Sequence, residues 1–451
     1  MDALQTHVHA HVVQFLDELS RLVRQPSVAA SGEGIGECAA LVAEIFRTAG
    51  ATLTVFTRDG AAPLVVAEFP GAGQRTLLFY NHYDVQPPDP LGEWTTPPFQ
   101  PTVRDGKLFG RGVSDNKGNL ISRLSAVRTL QAVHGGLPCR VKFIIEGEEE
   151  IGSVHFEEYI ADHAAALAGD ACIWESGSRD TKERLVLVAG VKGDCYLDLH
   201  LETATMDLHS SIGAIVDGAA TQLIWALASL KDPTTGLIRV PGFYDRVRAP
   251  TAREREELRR LPFEEEEYKE LHGVKRFIGG KTGEAAKHDY FYMPTCTVSG
   301  FISGYTGPGS KTVLPRRAAA KVDFRMVPDQ DPQEIATLVG QHFAAQGFGD
   351  IAITLLGGER AYRSNLDDPF IHLVAHVAAE ATRREALVYP TSAGTGPMYP
   401  LGTTLRVPIV SLGDGYWGSR AHAPNEHIRL ADFEETVYLM ARIMQEFGRQ
   451  P

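Results

Sequence analysis

The chain has little of what marks several common protein classes. Its five cysteines, Cys38, Cys139, Cys172, Cys195 and Cys296, are odd in number and contain no CxxC pair. That argues against a disulfide framework or a thiolate zinc finger, and leaves reduced, mostly buried thiols as the expectation. No apolar run approaches the roughly 20 residues needed to span a bilayer, so no membrane segment is expected. The first ten residues carry His and Asp, without a basic start or an apolar stretch. They do not read as a secretory signal, and cytoplasmic location is the default expectation. Basic residues form no long run, and the formal net charge of -13 repels a phosphate backbone. Nucleic acid is therefore not an expected partner, whereas metal cations and small polar substrates are.

What is present fits a soluble globular protein. With 451 residues, 43% hydrophobic and 22% charged, two domains with substantial cores are expected. Apolar spacing predicts a helix over Val8–Val23, ended by Pro26, and a second over Cys38–Ala49. Short β-rich segments follow at Thr52–Phe56, Leu64–Phe69, Arg75–Tyr80, Val141–Ile145 and Ala171–Trp174, with a helical pattern from Asn119 to Val133 between them. Strands alternating with helices imply an α/β layer fold. Near Val191 the texture changes to the alternating strand Cys195–Leu201, a helix at Ala219–Leu230 and a polar stretch from Arg246 to Glu270. Strands Thr295–Ile302, Ala318–Met326 and Ile351–Leu356 and the helix Pro332–Gln346 complete this part. After Gly358 the α/β character returns with helix Pro369–Arg383, strand Pro408–Leu412 and helix Phe433–Phe447. The expected organisation is thus a discontinuous α/β domain, residues 1–190 and 359–451, interrupted by an α+β domain over 191–358.

The chemistry gathers at predicted strand ends, where open α/β sheets bind ligands. His82 and Asp84 follow the strand ending at Tyr80, although HxD is common by itself. Asp115 sits in the glycine-punctuated Gly110–Gly118, where the plainer role is a helix N-cap. Glu148, Glu149 and Glu150 follow Val141–Ile145, and such a run is usually a solvated face. Glu175 follows Ala171–Trp174, and His422 lies beyond Pro408–Leu412. Each residue is weak evidence, but their convergence at strand ends is stronger. Imidazole and carboxylate without thiolate suit Zn²⁺, Mn²⁺ or Co²⁺, and two ions need about six ligand positions if one carboxylate bridges. The set supplies these with one Glu left as a base for amide hydrolysis.

At these residues the sequence resembles the M20 family of metallopeptidases and deacylases. The motifs are NHYDV, GRGVSDNKG, EGEEEIGS, the WE of CIWES, MDLHSS, SGYTGPGSKTVLP, FRMVPDQDP, SAGTGPM and AHAPNEH, in family order over nearly the whole chain. The resemblance implies a dinuclear zinc-hydrolase domain, of mostly parallel sheet flanked by helices, and an inserted lid that dimerises. It implies two divalent ions, Zn²⁺ first, held by His82, Asp115 and Glu175 and by Asp115, Glu150 and His422. Asp84 would orient His82 and Glu149 would be the general base, with Glu148 left without a role. It further implies that His209, from the same or the neighbouring subunit of a homodimer, polarises the scissile carbonyl and that Arg325 pins a substrate carboxylate. The backbone of Gly394, Thr395 and Gly396 would meet that carboxylate. Carnosinase-like members usually carry Asp where Glu175 stands, while carboxypeptidases and deacylases carry Glu; the long lid is dipeptidase-like.

The expectation is hydrolysis of dipeptides or short peptides ending in a free carboxylate. The alternatives are an N-acyl-amino-acid deacylase and, more remotely, a noncatalytic paralogue used for binding or assembly. Three imitations are set aside. Gly32, Gly34 and Gly36 lack both GxGxxG spacing and a preceding strand, Ser310 interrupts a phosphate-loop pattern at Gly304–Thr312, and His7, His9 and His11 lack accompanying carboxylates.

Overall fold

The helical spacing at the start of the chain produces Ala3–Arg24, begun by Asp2, whose carboxylate accepts the Gln5 amide at 2.9 Å. Its buried face is Leu4, Val8, Phe15, Leu16, Leu19, Leu22 and Val23, and it stops short of Pro26, which cannot continue a helix. The computed structural model describes residues 1–450. These divide into two units. One holds Met1–Gly190, Arg363–Pro390 and the chain from Pro397 on, and the other holds Val191–Tyr362 and Thr391–Gly396.

In chain order the first unit supplies β1 (Thr52–Phe56), β2 (Leu64–Phe69), β3 (Thr76–His82), β4 (Arg140–Glu146) and β5 (Ala171–Trp174). The second supplies β6 (Gly193–Glu202), β7 (Thr297–Ser303), β8 (Arg317–Met326) and β9 (Ala352–Gly357), and the first resumes with β10 (Ile409–Ser411). The main sheet of the first unit has the order β1-β2-β4-β3-β5-β10. β4, β3, β5 and β10 are parallel, and β1 and β2 close one edge antiparallel. β3 is buried from Leu77 onward, as a parallel strand covered on both faces must be. The helices Ala3–Arg24, Ile35–Thr48, Lys117–His134, Pro369–Thr382 and Leu430–Arg449 contribute to the core around this sheet.

The second unit holds an antiparallel sheet, β7-β8-β6-β9. β6 buries Cys195, Leu197, Leu199 and Leu201, alternate residues that share one face. Helices Ala219–Ser229 and Pro332–Ala345 add Leu223, Ala226, Ile335 and Val339 to the same core. The polar stretch Arg246–Glu270 is not irregular. It contains helices Ala252–Arg260 and Glu265–His272, the first nucleated by a capping box between Thr251 and Glu254. A helix at Phe156–Leu167 also lies outside the sequence expectation. All five cysteines are free and buried.

Candidate metal centre

The parallel strands of the main sheet bring their C-terminal ends together. His82 is the last residue of β3 and pairs in register with Glu146, the last of β4. Glu149 and Glu150 form a short 3-10 turn just beyond β4, Glu175 follows β5 directly, and His422 lies in the loop after β10. Asp115 stands two residues before the helix Lys117–His134. Asn116 occupies the N-cap position, so Asp115 is not the helix cap that was the plainer expectation. Two glycines make this loop possible. Gly112 has φ +81°, and a Cβ on Gly118 would stand 2.1 Å from the Val113 carbonyl oxygen.

Asp115 joins the two histidines. Its Oδ1 is 3.1 Å from His82 Nε2 and its Oδ2 is 3.1 Å from His422 Nε2. His422 Nε2 is also 3.1 Å from Glu150 Oε2. On the other side, His82 Nε2 lies 3.9 Å from Glu149 Oε2 and 4.0 Å from Glu175 Oε1. Three groups of ligand atoms within 4.8 Å of one another result: His82, Asp115, Glu175; Asp115, Glu150, His422; and His82, Glu149, Glu150. The first two share only Asp115. Glu175 and His422 have φ of +25° and +63°, backbone that non-glycine residues adopt rarely and keep only where their surroundings enforce it.

The donor set fits divalent cations. It is all imidazole and carboxylate, the combination that suits zinc and its neighbours. Glu175 Oε2 is buried with no hydrogen-bond partner, an arrangement that costs free energy unless something positive meets it. Burial, with the like charges of Asp115 and Glu150, pushes the Glu175 carboxyl up to about 8. Burial and the Glu175 charge hold Glu149 well above the usual carboxylate range. Hydrogen bonds to Asp115 and Glu150 push His422 up to about 10. Burial opposes charge on His82, but its bonds to Asp115 and Asp84 prevail and keep it well above the ordinary imidazole value. Protonated histidines thus offset the crowded carboxylates, a role that bound cations would take over.

Asp84 is fully buried and belongs to none of the three ligand groups. His82 Nδ1 lies 3.3 Å from Asp84 Oδ1, and the Asp84 carboxylate accepts the amides of Glu149 at 3.3 Å and Glu150 at 2.9 Å. One side chain therefore orients the histidine and the acidic turn together. The acidic run is not a solvated face. Glu148 accepts the backbone amides of Ala62 at 2.9 Å and His155 at 3.1 Å, and pairs with the His155 ring. This anchoring is the role that sequence reasoning did not find for it.

Sequence reasoning also missed Glu426. Its buried carboxylate accepts Arg111 Nη1 at 2.7 Å and the amides of Gly112, Ser114 and Asp115 at 2.9, 2.9 and 3.0 Å. It thereby fixes the loop that aims Asp115, and the motif AHAPNEH already contained it. Glu426→Gln is expected to destabilise the protein by about 3–5 kcal/mol, because it strands Arg111 as a buried, unpaired charge. Denaturant unfolding measures this, and a loss below about 1 kcal/mol would refute the account.

The remaining candidates belong to the second unit. His209 is exposed; its Nδ1 accepts the Ser211 amide at 3.1 Å, which places the ring proton on Nε2. Arg325, near the end of β8, donates from Nη1 to Thr395 Oγ1 at 2.6 Å and from Nε to Asp323 at 3.3 Å. Gly394 and Gly396 flank that threonine. Arg325 and the glycine loop are thus already joined within this unit.

Comparisons with known proteins point the same way as the motifs. Residues 78–446 match the model of peptidase family M20/M25/M40. The chain is 29% identical to the Beta-Ala-His dipeptidase of Mus musculus over 86% of this chain and 80% of that protein. It is 28% identical to a Cys-Gly metallodipeptidase of Schizosaccharomyces pombe over 99% of this chain and 98% of that protein. Among solved structures, an M20 family metallo-carboxypeptidase from Sulfolobus solfataricus superposes with a TM-score of 0.89 at 37% identity, covering 97% of this chain and 99% of that one.

Proposed function

The chain belongs to peptidase family M20/M25/M40, and from that premise we propose that it is a metal-dependent dipeptidase, hydrolysing dipeptides or short peptides that end in a free carboxylate. The observation that carries this reading is the pair of ligand groups that share Asp115 and have the Glu149 carboxylate beside them. His82, Asp115 and Glu175 would hold one divalent ion, and Asp115, Glu150 and His422 the other, with zinc favoured and manganese or cobalt as alternatives. Bound there, the ions supply Lewis acidity toward the scissile carbonyl and the attacking water. Glu149 takes a proton from that water as it adds to the carbonyl carbon, and delivers it to the leaving nitrogen as the C–N bond breaks. Asp84 holds the His82 ring in place. His209 donates from Nε2 to the carbonyl oxygen as negative charge develops there. Arg325, with the backbone of Gly394, Thr395 and Gly396, receives the substrate carboxylate.

The second unit is read as a lid through which two chains pair. Its exposed Trp225 and Ile302 support an interface there. A cytoplasmic location completes the reading; among the described residues no helix is long and apolar enough to cross a membrane.

A second reading, N-acyl-amino-acid deacylation, is favoured by the glutamate at position 175. A panel of free dipeptides, the same dipeptides amidated at the C-terminus, and N-acetyl amino acids, each with Zn²⁺, Mn²⁺ or Co²⁺, separates the two. Free dipeptides are expected to be the best substrates by kcat/KM, and a preference for N-acetyl amino acids would install the second reading. Arg325→Ala is expected to lower kcat/KM for free dipeptides by about 10- to 100-fold, the worth of a charged hydrogen bond, and to leave the amidated ones unchanged. Equal losses on both would remove Arg325 from the carboxylate site.

A further inference from the structure

Arg123 is entirely buried in the helix Lys117–His134, and no motif or expected role includes it. A guanidinium in such surroundings must find acceptors, and it finds five. Nη1 donates to the Tyr80 carbonyl at 2.7 Å and to Asn81 Oδ1 at 2.8 Å. Nη2 donates to the carbonyls of Trp174 at 3.1 Å, Glu175 at 2.6 Å and Leu412 at 3.3 Å. These acceptors lie at the C-terminal ends of β3, β5 and β10, adjacent strands of the main sheet. They are also the residues from which the site is built: Asn81 precedes His82, Glu175 is itself a candidate ligand, and Leu412 opens the loop that leads to His422.

The network continues around the ligands. Asn81 Nδ2 donates to Asn116 Oδ1, on the neighbour of Asp115, and Asn116 Nδ2 donates to Ser176 Oγ, on the neighbour of Glu175, at 3.2 Å. Glu175 is held at both ends of its unusual backbone. Its amide donates to the Tyr80 carbonyl at 3.0 Å and its own carbonyl accepts from Arg123. Asp414, fully buried with both carboxylate oxygens unbonded, lies within electrostatic reach of Arg123, although burial pushes its carboxyl up to about 7. A planar fork of two amino groups can serve five acceptors spread over three strand ends, more than the three donors of an ammonium allow.

We propose that Arg123 is a positioning residue of the metal centre, its buried fork setting the spacing of three adjacent strand ends, two of which carry His82 and Glu175 toward a shared ion. This rests on the reading of that site as a metal centre. The full chain, stripped of metal, is titrated with Co²⁺ while its d–d spectrum is followed, and with Zn²⁺ against a competing chelator, for wild type, Arg123→Lys and Arg123→Gln. Circular dichroism and the thermal midpoint of each metal-free protein report folding. The expected result is a folded Arg123→Lys protein with about 10- to 100-fold weaker metal binding, the usual effect of losing a group that orients ligands, and an altered Co²⁺ spectrum. Arg123→Gln is expected to bind more weakly still. Folded variants that bind both metals within twofold of wild type, with the wild-type spectrum, overturn the proposal. So does failure of both variants to fold, which assigns Arg123 to the core alone. If the wild type binds neither metal, the reading of the site itself has failed; if only the variants match the wild type, this inference alone has.

Discussion

Replacing Glu149 with glutamine is expected to reduce kcat by about 10²- to 10⁴-fold, the usual contribution of a positioned acid–base group, while both ions remain bound. Glutamine keeps the length of the side chain and one acceptor oxygen, so the packing beyond β4 should survive. What it loses is the capacity to take a proton. Glu149 is suited to that task because burial and the neighbouring Glu175 hold its carboxyl well above the ordinary range, which favours its taking up a proton. The same geometry allows a competing assignment, since His82, Glu149 and Glu150 also have ligand atoms within 4.8 Å of one another. Elemental analysis of the purified variant decides between them. Full metal content with collapsed turnover makes Glu149 the base; loss of an ion makes it a ligand, and wild-type turnover removes it from the chemistry.

The clustering of these imidazoles and carboxylates and the strand ends were legible in the sequence because both are local signals. β1, β2 and β5 match the expected segments residue for residue, each a short β-rich run ended by turn residues. His82 and Glu175 could be placed because they stand at or directly after such runs. What stayed hidden depends on partners far away in the chain. Glu426 meets Gly112 from 314 residues away, and Arg123 meets Leu412 from 289 residues away. A lone charged residue in a helix gives no sign that it will be buried against the ends of three strands. The helix Phe156–Leu167 was overlooked for another reason. Its apolar Phe156, Tyr159 and Ile160 do fall at helical spacing, but the run is short and follows directly on the acidic turn. In Arg246–Glu270 the high charge masked the Thr251–Glu254 capping box, which needs no apolar face to start a helix.

Asp115→Ala should prove more damaging than the loss of the base, because one side chain serves both ligand groups. Its two oxygens are each 3.1 Å from a different histidine, Oδ1 from His82 and Oδ2 from His422. Removing it leaves each prospective ion with two protein ligands and takes away the anion that would lie between two dications. His422→Ala serves as the comparison, since that ring belongs to one group only and is half exposed. The expected metal content is about one ion per chain for His422→Ala and less for Asp115→Ala, with activity in the latter below that of Glu149→Gln. The fold should tolerate both changes. The loop around Asp115 is anchored through its backbone amides to Glu426, and neither substitution touches those bonds. Equal metal content in the two variants would mean that Asp115 does not bridge, and that the second site draws on Glu150 and His422 without it.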